Sequence, residues 1–254
     1  EKYANALSDF QYALNFALLS GDSSRIASIR NLIGLSLERQ YLYEESLNQY
    51  LMALDISDKC NSVIEKVSAL NYIGGIYYRQ MRYSESLDYY VQSLSLSRKI
   101  NYERGIAAAL NNVGEIYRLQ GQLDNAQSHY LAALKINLSH GNKEWAAINY
   151  ENVGKTYYSK SLYSKALEYY MNSLDQLAEG SYLLPSLYIS IGETYNSQGK
   201  YSSALNFFQK SFDLANPKSD WRNLKLSAMY LAEINSKAGN YKNALEYREI
   251  QSKA

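Results

Sequence analysis

A block of residues returns along this chain about every 40 positions, and no other feature limits the fold so sharply. Aligned on a glycine, the copies read Asn31-Leu32-Ile33-Gly34, Asn71-Tyr72-Ile73-Gly74, Asn111-Asn112-Val113-Gly114, Glu151-Asn152-Val153-Gly154 and Ile189-Ser190-Ile191-Gly192. A second block follows each glycine. It reads Tyr43, Ser46, Leu47, Tyr50, Leu54 in one copy and Tyr83, Ser86, Leu87, Tyr90, Leu94 in the next. It returns as Leu123/Ala126/Tyr130/Leu134, Tyr163/Ala166/Leu167/Tyr170/Leu174, Tyr201/Ala204/Leu205/Phe208/Phe212 and Tyr241/Ala244/Leu245. Such a period means a stack of small units, none of which buries its apolar face alone.

Within each unit the spacing is helical. Leu110, Val113, Gly114 and Tyr117 fall at i, i+3, i+4 and i+7, which is one face of an α-helix. Tyr163, Ala166, Leu167, Tyr170 and Leu174 repeat that pattern in the following helix. The pattern predicts first helices over 23–39, 62–80, 104–120, 144–160, 182–198 and 222–238. Second helices are expected over 3–19, 43–58, 83–99, 123–139, 163–178, 201–215 and 241–252. Only 2 prolines interrupt the chain.

The turn inside each pair carries Gly121, Gly199 and Gly239 in three units, where a helix end takes a left-handed residue. Tyr41, Met81 and Ser161 hold that place in three others, so those turns either adopt another geometry or carry strain. Between units, the segments 20–24, 140–142 and Asn216-Pro217-Lys218 have turn chemistry.

Gly74, Gly114 and Gly154 stand mid-helix, each costing about 1 kcal/mol relative to alanine. A partner helix that approaches closely explains them. Ser46, Ser86, Ala126, Ala166, Ala204 and Ala244 would supply the matching small surface, and Tyr90, Tyr130, Tyr170 and Phe208 would reach to the next unit. Tyrosine, at 27 residues against 5 phenylalanines, suits half-buried helix junctions because its ring is apolar and its tip polar.

A mid-helix glycine, an aromatic three residues on, then alanine, aromatic and alanine in the second helix resembles the tetratricopeptide repeat family; Gly114, Tyr117, Ala126, Tyr130 and Ala133 carry the match in one unit. The units are longer than the family's usual one, and in that are similar to kinesin light chains, Pins-type polarity adaptors and, more closely, arrays of bacterial sensor kinases and regulators. Arg30 departs from the expected apolar residue in the first full unit and Ala232 from the glycine in the last, as terminal repeats often do. The resemblance implies an all-α, right-handed α-solenoid of antiparallel helix pairs. One solenoid would span 1–254: an orphan second helix at 1–20, then repeats over 23–60, 62–100, 104–140, 144–180, 182–216 and 222–254. Because the chain opens on Glu1 in mid-repeat, it is expected to be an excised or processed piece of a longer protein.

The resemblance also implies that the first helices line a concave, partner-binding groove. Asn31, Asn71 and Asn111 form a ladder there, with Glu151 continuing it and Asn112 and Asn152 beside it. An amide both donates and accepts, so such a column pairs with the backbone of an extended peptide, or else it bridges neighbouring helices. Tyr78, Arg79, Glu115, Arg118, Lys155 and Tyr158 complete the candidate groove. Its charges are either graded, with Arg39, Arg79 and Arg118 opposite Glu151, Glu193 and Glu233, or an alternating solvated face. The carboxylate clamp of chaperone-binding members is excluded, because its positions hold Asn71, Gly75, Asn112, Ile148 and Asn152 without a lysine.

Net charge is +1 with no basic run, which argues against nucleic acid. No stretch approaches a membrane span, and Cys60 alone forms no internal disulfide. His129 and His140 are at no ligand spacing with each other or with Cys60, and no phosphate loop, nucleophile elbow or zinc-protease motif is present. No metal, cofactor or catalytic residue is expected. The reading is a non-catalytic module binding a protein or extended peptide, part of a larger bacterial regulator; the alternative is a free-standing adaptor, and an enzyme is the remote rival. Self-association through the terminal helices is a further possibility. The sequence leaves the compartment open between the cytoplasm and, for the sensing part of a membrane-anchored regulator, the periplasm.

Overall fold

The structure, a computed structural model, describes residues 2–215 and 220–253. The turn expected at Asn216-Pro217-Lys218 lies outside the described residues. The fold is all-α, an α-solenoid of antiparallel helix pairs. Its helices are α1 (Lys2–Ser20), α2 (Ser23–Glu38), α3 (Tyr43–Lys59), α4 (Val63–Arg79), α5 (Tyr83–Lys99), α6 (Glu103–Leu119), α7 (Leu123–Ser139), α8 (Lys143–Ser159), α9 (Tyr163–Gln176), α10 (Leu184–Ser197), α11 (Tyr201–Leu214), α12 (Trp221–Lys237) and α13 (Tyr241–Lys253). They fall into two compact units, residues 1–122 and 123–254.

Inside each unit every helix packs on the next in sequence. First helices also touch one another, α2 with α4 and α4 with α6 in one unit, α8 with α10 and α10 with α12 in the other. Among the described residues the second helices α3 and α5, or α9 and α11, make no such contact. In each unit the first helices therefore gather on the tighter side.

Turn chemistry sets the helix ends. The Tyr41 N–H bonds to the Glu38 carbonyl at 3.0 Å and the Leu42 N–H to the Leu37 carbonyl at 3.1 Å. The same pair of bonds closes the turn at Gly121 and Gln122. This is the double-bonded C-terminal motif that puts its central residue in the left-handed region. Tyr41, Met81 and Ser161 adopt φ of 63°, 60° and 58°, beside 75° at Gly121. Non-glycine residues thus keep the glycine geometry and carry its strain. Asn61 and Asn101 do likewise between helix pairs.

The second unit departs from strict repetition. Helices α9, α10 and α11 have 14 residues where most others have 17. Leu177 turns extended and ends α9 before the expected 178, and Pro185 in the first turn of α10 moves that helix's start from the expected 182 to Leu184. The glycine spacing shrinks accordingly between Gly154 and Gly192.

The surface facing the helical glycines, expected to come from the small residues of the second helix, is the ring of an aromatic. A Cβ on Gly34, Gly74, Gly154 or Gly192 would lie 2.4–2.7 Å from the ring of Tyr50, Tyr90, Tyr170 or Phe208, the aromatic of the same pair. The small residue four positions earlier serves as a hydrogen-bond donor in two pairs. Ser46 Oγ donates to the Gly34 carbonyl at 2.7 Å and Ser86 Oγ to the Gly74 carbonyl at 2.8 Å. The same aromatics do reach to the next pair. Tyr50 packs on Ile73 and Ile76, Tyr90 on Val113 and Ile116, Tyr170 on Leu187 and Ile191, Phe208 on Leu231 and Ile234. Each ring therefore fills a notch in its own pair and seals the joint to its neighbour.

Tyrosine serves two recurring junctions. Between consecutive pairs, Tyr50 stacks on Tyr72 and Phe208 on Tyr230, with centroids 5.0 and 4.5 Å apart. Within pairs, Tyr77 meets Tyr89, Tyr157 meets Tyr169 and Tyr195 meets Phe207 at 5.2–5.6 Å. Cations cover several of these rings, Arg82 over Tyr77 at 4.5 Å being the nearest.

Candidate functional site

The first-helix face of the unit covering residues 1–122 is built from α2, α4 and α6. Two of its asparagines, Asn31 and Asn71, turn inward. Asn31 is buried and its Nδ2 donates to the Glu65 carbonyl on α4 at 3.2 Å. Asn71 Nδ2 donates to Ser93 Oγ on α5 at 2.6 Å, and Ser93 in turn donates to the Val67 carbonyl. The Oδ1 atoms of both residues are buried without a partner. These two amides stitch helices together. Asn111, half-buried on α6, lies beside Asn112, with Nδ2 3.4 Å from Asn112 Oδ1.

Polar bridges between successive first helices occupy the outer part of this face. Arg79 on α4 holds Glu38 at the end of α2 through Nε at 2.8 Å and Nη2 at 2.7 Å. Tyr50 on α3 donates to the other Glu38 oxygen at 3.1 Å, so one carboxylate ties three helices. Tyr78 on α4 donates to Glu115 Oε1 on α6 at 3.1 Å, and Arg118 grips the same carboxylate with both prongs at 2.7 and 2.9 Å. Burial, and then the Glu115 charge beside it, pushes the Tyr78 hydroxyl up to about 12. Arg30, which stands where an apolar residue was expected, lays its chain across α3 and donates to Gln49 Oε1 at 3.0 Å.

The corresponding face of the unit covering residues 123–254 is built from α8, α10 and α12. Glu151 is buried, paired with Lys155 Nζ at 2.8 Å and accepting from Ser190 Oγ on α10 at 3.1 Å. Tyr158 Oη lies 3.0 Å from Ser197 Oγ on α10, and Tyr230 on α12 donates to Glu193. Asn152 is half-buried on α8. A cleft of about 380 Å³ opens on this face, with Glu151, Lys155, Ile189, Ser190, Glu193 and Arg222 among its walls.

Several structural contacts were not read from the sequence. Asn137 on α7 donates to Asn149 on α8 at 2.8 Å, and both are buried. Ser93, Ser173 and Ser211 each donate to a first-helix carbonyl 26 residues back. The recurrence of serine at that register was the available signal.

Among the described residues no three or more His, Cys, Asp or Glu side chains are grouped to hold a metal ion. His129 on α7 and His140 just past its end each place Nδ1 within 2.9 Å of an α7 carbonyl. Among the described residues no helix is long and apolar enough to cross a membrane.

Models of the tetratricopeptide repeat match residues 65–138 and 105–179, and another matches residues 185–217. Together these cover more than half of the chain, which belongs to the tetratricopeptide repeat family. None of the curated proteins matches the sequence. Similar solved structures include a Rap protein complexed with competence and sporulation factor, at TM-score 0.71 and 16% identity, covering 98% of this chain and 84% of that one. BtubC from P. vanneervenii aligns at TM-score 0.70 and 17% identity over 84% of this chain and 91% of that one. A signal-transduction ATPase with a tetratricopeptide repeat sensor, from Pyrococcus horikoshii, aligns at TM-score 0.67 and 19% identity over 91% of this chain, which spans 37% of the ATPase's length. At these identities the likeness is one of fold.

Proposed function

We propose that this chain is a non-catalytic repeat domain that binds an extended peptide or protein segment along its first helices, as the sensing or partner-binding part of a larger regulator. The observation that carries this reading is the polar, tyrosine-rich face on the tighter side of each unit, opening into a cleft between α8, α10 and α12. Tyr78, Arg79, Glu115 and Arg118 in one unit, and Asn152, Lys155 and Tyr158 in the other, offer side chains of both charges and neutral hydroxyls. Asn111 and Asn112 are the ladder members that would meet a ligand backbone. Asn31 and Asn71 support the face from below, because their amides are engaged within the fold.

Two of the similar structures lend support: one is a Rap protein solved with competence and sporulation factor, the other an ATPase whose repeats are described as its sensor. The test is selection of peptides from a random library on the full chain, followed by hydrogen exchange with and without the best binder. Protection is expected on the first helices of a unit, α4 and α6 or α8 and α10, and Arg118→Glu in the first case or Lys155→Glu in the second should weaken binding at least tenfold, about 1.4 kcal/mol. Protection confined to α5, α9 and α11 would sink the reading.

A further inference from the structure

The cleft between α8, α10 and α12 holds two charges of opposite sign that the fold leaves uncompensated. Glu151 is not one of them: Lys155 and Ser190 satisfy its carboxylate at 2.8 and 3.1 Å. Glu193, on α10, accepts only the uncharged Tyr230 hydroxyl. Arg222, exposed in the first turn of α12, lines the same cleft. Among the described residues neither Glu193 nor Arg222 forms an ion pair, with each other or with any third group. Ile189 and Leu226 add apolar wall.

Resting on the proposal that the first helices bind a peptide, we propose that this cleft reads a short stretch of partner carrying one cationic and one anionic side chain, a lysine or arginine set on Glu193 and an aspartate or glutamate set on Arg222. Charges lining a cleft with low-dielectric walls attract their complements over several ångströms. A ligand with both charges satisfies both residues, whereas a ligand with one charge meets attraction at one wall and repulsion at the other. The cleft, at about 380 Å³, lies at the low end of ligand-sized sites, roughly 300–1,000 Å³, which fits a few residues and not a folded domain. The field of the carboxylates is visible in the fold itself. Burial, followed by Glu151 and Glu193, raises the Tyr170 hydroxyl, and burial with the Glu193 bond raises that of Tyr230.

The test uses the full chain and acetylated, amidated hexapeptides of alanine bearing one lysine and one aspartate, lysine alone, aspartate alone, or neither. In low salt the doubly charged peptide should bind at least tenfold more tightly than either singly charged one. Glu193→Gln should remove the advantage given by lysine and leave that given by aspartate; Arg222→Gln should do the reverse. Equal binding of all four peptides, no binding of the doubly charged one, or insensitivity to both substitutions would overturn the charge-pair reading. Binding of unblocked dialanine in place of the doubly charged peptide would overturn it too, by assigning the charges to peptide termini. Library-selected peptides that still protect α8 and α10 under any of those outcomes would leave the broader peptide-binding proposal standing.

Discussion

Gly74 lies under the ring of Tyr90, so closely that a Cβ at position 74 would stand 2.7 Å from Cδ1 and Cε1. Tyr90 is buried and is held on its other side by Val113 and Ile116, so the ring has no room to retreat. Gly74→Ala should therefore destabilise the chain by about 1–3 kcal/mol, the usual cost of overpacking. The neighbouring glycine predicts the opposite. A Cβ on Gly75 meets only Tyr90 Oη at 3.8 Å, an ordinary contact. Gly75→Ala should gain up to about 1 kcal/mol from helix propensity alone. Urea denaturation of the two single variants decides the matter, and equal signs for the two would refute the packing argument.

The left-handed turn residues give a second pair of opposed outcomes. Met81 is exposed and strained at a φ of 60°, whereas Gly199 takes 73° without a Cβ to strain. Left-handed backbone costs an L-residue roughly 1–2 kcal/mol, and glycine's extra freedom in the unfolded chain offsets about 0.5–1 kcal/mol of that. Met81→Gly should stabilise by about 0.5 kcal/mol, and Gly199→Ala should destabilise by about 1 kcal/mol. Thermal melts of both variants at neutral pH read the difference. A stabilising Gly199→Ala would contradict the assigned geometry.

Repetition made the helices legible and hid what distinguishes one copy from another. Helix starts such as Tyr83, Leu123 and Tyr163 follow from the apolar period, because the residue types that pack recur at fixed register. The period does not say what each small residue serves. Ser86 could be read as small, but its hydrogen bond to the Gly74 carbonyl depends on a third coordinate the sequence lacks. The asparagine ladder shows the same limit. Asn71 and Asn111 are equivalent by register, yet Asn71 donates to Ser93 Oγ on the second helix, and forty residues on from Ser93 the sequence has Ala133, which offers no hydroxyl. Which face an amide serves is decided by its neighbour on another helix, a context that a single motif does not contain.

The buried tyrosines predict an alkaline transition. Burial is the first cause in each case, and it raises the hydroxyls of Tyr50, Tyr90, Tyr170 and Tyr230, while Tyr78 is pushed up to about 12. In the unfolded chain these groups ionise near pH 10. Between about pH 10 and the folded values the unfolded state binds fewer protons than the native one, so stability falls as pH rises. Each tyrosine contributes a slope of about 1.4 kcal/mol per pH unit in that window, and nothing below it. Tyrosinate absorbance should rise together with loss of helicity above about pH 10, and Tyr170→Phe should shallow the slope. Ionisation of all 27 tyrosines at ordinary pH with helicity intact would refute the burial.

Binding and stability should separate along the first-helix face. Asn71 gives its amide protons to Ser93 Oγ and the Val67 carbonyl, and its Oδ1 is buried. Asn71→Ala removes a donor from Ser93 and should cost about 1 kcal/mol of stability, with little direct effect on a ligand that never reaches the amide. Lys155 behaves differently. Its side chain is more than a third exposed at the cleft, and its ammonium pairs with the buried Glu151 carboxylate. Lys155→Met keeps the stem over the helix but strips the charge, leaving Glu151 with Ser190 as its remaining donor. It should weaken a library-selected peptide by several-fold and make that binding less sensitive to salt, since one of the charges that salt screens is gone. Calorimetry at two ionic strengths, beside urea melts of both variants, checks the separation. If Asn71→Ala loses the peptide while retaining its stability, the amide faces the groove after all, and the inward hydrogen bonds at Ser93 and Val67 do not hold in solution.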